Sequence, residues 1–116
     1  NSQLYATPPE DIARLAAQKR AEMAATGTTQ ATAAELVADK VMVTTVTETA
    51  AAVLLPAKNR DDIVIVVNGS GTWNLFIYPR STGKLNNATA DLPVELPPNK
   101  AARFEAVNSL NWMAFF

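Results

Sequence analysis

Ile63 to Val67 is an unbroken run of β-branched residues, and a few positions later Trp73, Leu75 and Ile77 alternate with Asn74, Phe76 and Tyr78. Such patterns mark strands, the first buried on both faces and the second on one. The Asn68-Gly69-Ser70-Gly71 stretch between them has turn chemistry, with Asn68, Gly69 and Gly71 able to take positive φ. The pair therefore reads as a β-hairpin. Upstream, "KVMVTTVTE" from Lys40 puts Val41, Val43 and Thr45 on one strand face and Met42, Thr44 and Val46 on the other. "AAVLLP" gives a short strand that Pro56 ends or marks as an edge. Further strands are expected near Leu85, from Leu92 to Leu96, from Ala102 to Val107 after a Pro-Pro-Asn turn, and in "SLNWMAFF". Frequent turn signals between short strands point to an all-β fold, an antiparallel sandwich with a jelly-roll-like arrangement.

The first 27 residues differ. Thr7 followed by Glu10 has capping-box spacing, Pro8 and Pro9 suit a first helical turn, and Asp11 lies near the positive end of the dipole. Alanine-rich propensity carries this helix to about Ala25, where Gly27 stops it. Its apolar face is thin, with Ile12, Leu15, Ala16 and Met23 interrupted by Lys19. A helix with so small a face gains little from its own core. The division expected is therefore an N-terminal arm and short α-helix over residues 1–27 and a β body over residues 28–116. Between them, Ala31 to Ala38 has helical propensity, but Thr28, Thr29 and Thr32 favour extended chain.

Composition narrows the functional classes. The chain has 116 residues, the size of one domain, with 48% hydrophobic and 18% charged residues. Net charge is -1, and the ten basic residues are scattered, so no phosphate-binding stripe forms and nucleic acid is not an expected partner. No apolar stretch approaches the ~20 residues that span a bilayer. Residues 1–20 lack a basic segment followed by an apolar one, so secretion and membrane partners are not expected. There is no cysteine, which removes disulfides and thiolate metal sites, and no histidine, the commonest general base. No cofactor, no metal and no catalytic residue is expected.

The remaining candidates for chemistry have ordinary explanations. Asp61 and Asp62 are adjacent on extended chain and point to opposite faces, so they read as a solvated strand entry. The glycines of the 68–71 turn precede a strand, whereas a phosphate-cradling loop precedes a helix. Asn68 and Asn87 start glycosylation sequons but fall in turns, where Asn is common. Trp73, Tyr78 and Trp112 carry rings able to stack on a ligand, a role less common than a place in the core. Phe115 and Phe116 either lock into the last strand or bury against a neighbouring chain.

From Gln30 onward the chain resembles a β module of tailed-bacteriophage structural proteins. The resemblance rests on "TTQATAAEL", "VTTV", "VLLPA", "IVIVVNGSGTWNLFIYP", "LPPNKAARFEAV" and the terminal "NWMAF". Proteins with this module are capsid decoration (cement) proteins and head-fibre or tail-associated parts, and they tend to be trimers. The resemblance implies a non-enzymatic virion protein, made in the bacterial host cytoplasm and placed on the capsid outer surface. It would bind the major capsid protein and its own copies as a homotrimer, and stabilise the shell by bridging capsid subunits. Contact would fall to Leu4, Tyr5, Ile12 and Leu15 in the arm and to Trp73, Trp112, Phe115 and Phe116 in the body. The alternative is a head- or tail-fibre component that binds host-surface glycan. A small enzyme using Asp, Tyr and Arg at a subunit interface is the remotest reading.

Overall fold

The structure, a computed structural model, describes residues 21–116. The expected helix start, and Leu4, Tyr5, Ile12 and Leu15 with it, lie outside the described residues.

Among the described residues nine strands form two sheets: β1 (Ala21–Ala24), β2 (Ala34–Glu35), β3 (Lys40–Thr45), β4 (Ala52–Leu54), β5 (Ile63–Asn68), β6 (Leu75–Tyr78), β7 (Val94–Leu96), β8 (Ala101–Ala106) and β9 (Trp112–Phe115). The five-stranded sheet has the order β1-β3-β5-β8-β9 and the four-stranded sheet β2-β4-β6-β7. From β1 to β6 the chain changes sheet at every step, so neighbours within a sheet run parallel. Ala21 lies beside Val41 and Lys40 beside Ile65, so successive turns of this coil take 20 and 25 residues. The longer turn includes the link through Asp61 and Asp62. There Asp61 takes φ 71° and the Asp62 carboxylate accepts from the Asn59 amide at 3.0 Å. Strands β7, β8 and β9 then close the sheets with antiparallel pairings.

The all-β class stands, but the sheets are mixed rather than antiparallel. The reason is visible at the 68–71 link. Asn68 is fully buried at the end of β5. Its side-chain amide donates to the carbonyls of Trp73 and Leu96, each at 2.9 Å, and its Oδ1 accepts from the Ser70 amide at 2.9 Å. Leu96 is in the other sheet, so this side chain directs the chain across instead of folding it back. The expected hairpin of β5 and β6 does not form. None of Asn68, Gly69 or Gly71 takes positive φ. Gly69 is needed for a different reason: a Cβ there would stand 2.9 Å from the Val43 carbonyl oxygen, which its own amide contacts.

A second correction concerns residues 21–25. They form strand β1 and the buried Ala25, not the end of a helix. Pairing with β3 and packing of Ala21 and Met23 on the core override the alanine propensity. Gly27, three residues beyond β1, takes φ 63°, and a side chain there would collide with Thr32. Residues 21–27 thus belong to the β body. The Gln30–Thr32 segment is a single 3-10 turn, and the chain is extended again in β2.

One buried cluster draws on both sheets: Val41, Val43, Val64, Val66 and Phe104 from the larger, and Val53, Leu75, Ile77 and Leu96 from the smaller. Inward and outward residues alternate along the strands, as a two-residue period requires. Ile63–Val67, expected to be buried on both faces, is buried only at Val64 and Val66. Burying Phe104 and Trp112 almost completely contributes about 2–3 kcal/mol each by area removed from water.

Candidate functional site

The outward face of the five-stranded sheet carries four exposed large apolar side chains, Met42, Ile63, Met113 and Phe115. Strand register sets its rows. Glu22, Met42, Val67 and Ala101 lie side by side across β1, β3, β5 and β8. Lys40, Ile65, Arg103 and Phe115 form the next row, and Ile63, Glu105 and Met113 the third. Side chains opposite one another on one face touch or nearly touch. Ile63, Met42, Met113 and Phe115 are each more than 40% exposed, whereas Ile65 and Val67 are half-buried. Two of its charged members partner within the face. Arg103 pairs with Glu105 at 3.1 Å, and its guanidinium lies 5.1 Å from the Phe115 ring centroid. The face therefore mixes apolar side chains with the charges of Glu22, Lys40, Arg103 and Glu105. Exposed apolar side chains gathered on one face are a surface through which proteins associate.

The free edge of this sheet at β9 is closed by local structure. Leu85 bridges to Trp112, and the Asn86 side chain pairs with both backbone groups of Ala114, accepting at 2.7 Å and donating at 3.3 Å. Asn86 takes φ 53° to do so, a conformation Asn tolerates better than most residues. The sheet thus offers its face rather than this edge.

Trp73 occupies a separate place. The loop between β5 and β6 fixes its backbone, because its carbonyl accepts from Asn68 and its amide donates to the Ser70 hydroxyl at 3.0 Å. Its ring, 40% exposed, forms one side of a cleft of about 280 Å³ with Phe76, Glu48, Asn74 and Glu95.

The candidate contact residues therefore separate. Phe115 and Phe116 are exposed, Phe115 on the large face and Phe116 beyond it. Trp73 is exposed at the cleft. Trp112 is corrected: at 1% exposure it belongs to the core and can contact no other chain, because β9 turns it and Ala114 inward while Met113 and Phe115 turn out. Its indole N–H finds no hydrogen-bond partner among the described residues. The sequence reading passed over Met42, Ile63, Ile65, Val67 and Met113 as contact residues. For Ile63, Ile65 and Val67 the signal was the apolar character of both faces of β5.

The sequon at Asn68 is closed to modification, since the side chain is buried and bonded. Among the described residues no helix is long and apolar enough to cross a membrane, and no group of three or more acidic side chains is placed to hold a metal ion. No protein-family model, no curated protein and no solved structure matches the chain.

Proposed function

We propose that this chain is a structural protein of a phage virion, a decoration protein that binds the outside of the capsid and bridges its subunits. The observation that carries the reading is the outward face of the five-stranded sheet, where Met42, Ile63, Ile65, Val67, Met113 and Phe115 stand among Lys40, Arg103 and Glu105. The two sheets are taken as the halves of a sandwich, with the larger sheet turned toward its neighbours. A homotrimer would bury this face between copies, and the charges of Arg103, Glu105 and Lys40 would set its register rather than its strength. Shell contact then falls to residues outside that face, with Leu4, Tyr5, Ile12 and Leu15 as the proposed anchors. Each anchor repeats many times over a shell, so modest contacts add by avidity.

The test is co-sedimentation of the purified chain with phage heads stripped of their decoration protein. Saturable binding that raises the heat resistance of the heads is the expected result. Binding that survives replacement of Leu4, Tyr5, Ile12 and Leu15 by Ser would remove the anchors, and absence of binding to any such head would remove the function.

A further inference from the structure

The cleft beside Trp73 lies apart from the large face and has a chemistry of its own. Two links that cross between the sheets meet there, residues 46–51 and residues 69–74, and β6 and β7 form the floor through Phe76 and Glu95. The polar lining is rich in acceptors. Glu48 and Glu95 each bring a carboxylate, Asn74 spends an N–H on Glu95, which leaves its own carbonyl as an acceptor, and Thr47 and Thr72 add hydroxyls. Among the described residues no basic side chain lines the cleft. Lys100 shares an adjoining hollow with Glu95 but forms no ion pair with it among the described residues. The apolar lining is aromatic, from Trp73 and Phe76.

We propose that this cleft takes the cationic head of a lysine or arginine side chain presented by a partner protein. Three properties select that ligand over others. An ammonium or guanidinium group carries only donors, which the two carboxylates and the Asn74 carbonyl can accept. Two carboxylates without a basic neighbour in the cleft attract a positive charge. Aromatic rings at the wall add cation–π attraction and accept the aliphatic stem. The cleft is also preorganised, since Trp73 is held through its own backbone on both sides, so little ordering is needed on binding. This inference is independent of the capsid reading.

The chain has two tryptophans, one at the cleft and one in the core, and this makes the test direct. The full chain is labelled with 5-fluorotryptophan and titrated with Nα-acetyl-lysine amide and Nα-acetyl-arginine amide by fluorine NMR. Nα-acetyl-norleucine amide and N-acetylglucosamine serve as neutral probes. The expected result is a saturable shift of the Trp73 resonance with the cationic probes only, on the order of millimolar affinity. Glu48→Gln and Glu95→Gln should each weaken it about fivefold, with added salt acting in the same direction. The Trp112 resonance should stay in place throughout and report that every variant is folded. An equal shift with norleucine amide, a shift with the sugar alone, no saturable shift, or full affinity in both Gln variants would each overturn the proposal.

Discussion

Along β3, β5, β8 and β9 one backbone presents two apolar surfaces that differ in kind. The inward surface, with Val41, Val43, Val64, Val66, Phe104 and Trp112, is sealed and carries no charge. The outward surface, with Met42, Ile63, Ile65, Val67, Met113 and Phe115, is open and interleaved with Lys40, Arg103 and Glu105. The inward residues are held by complementary shape, so loss of one leaves a cavity. Among the described residues the outward side chains pack beside neighbours on the same face, and losing one leaves no enclosed cavity. An apolar surface that contributes little to its own fold, yet is placed on the central strand of a sheet, is a surface suited to another molecule.

That contrast is open to direct attack, beginning inside. Phe104→Ala should destabilise the chain by about 3–5 kcal/mol in denaturant unfolding, because the ring is fully buried and its site cannot collapse. Asn68→Ala should cost about 2–3 kcal/mol by the same measurement, since it strands the buried Leu96 carbonyl and frees the crossing loop. It should also broaden the Trp73 amide signal in NMR more than any signal from β8. Asn86→Ala removes both bonds to Ala114 and opens the β9 edge. A loss of about 1–2 kcal/mol is expected, together with slow aggregation visible by light scattering. The smallest stability effect belongs to the outward face. The double substitution Ile65→Thr and Phe115→Thr keeps β propensity and should cost about 1 kcal/mol or less. If it instead destabilised the chain as much as Phe104→Ala, the distinction between the two faces would collapse.

Much of this arrangement was legible in the residues. The alternation in "KVMVTT" put Val41 and Val43 on one face, and that face is the buried one, although Thr45 leaves it and Val46 is buried. The strands at 63–68, 75–78, 94–96, 101–106 and 112–115 followed from β-branched and aromatic runs bounded by Pro, Gly and Asn. The connectivity was not legible. "NGSG" carries the local chemistry of a hairpin turn, and only the distant Leu96 carbonyl, reached by the Asn68 side chain, shows that the chain crosses to the other sheet. Strand β1 was hidden for a similar reason, because "AEMA" prefers a helix until β3 offers it backbone partners. The outward face was half-visible. A run such as Ile63–Val67 signals burial on both sides, and what covers its second side is not written in the run itself. Trp112 shows the limit for single aromatics, since a period of two places it inside and Phe115 outside only once the register with β8 is known.

The central claim, that the outward face of the five-stranded sheet joins copies of this chain, is tested most directly by mass in solution. Light scattering coupled to size exclusion should give about 37 kDa for the wild type, three times the 12.4 kDa of one chain. The Ile65→Thr and Phe115→Thr variant should give a folded species at one third of that mass. A wild-type chain that stays monomeric at every concentration, or a trimer indifferent to the double substitution, would contradict the account.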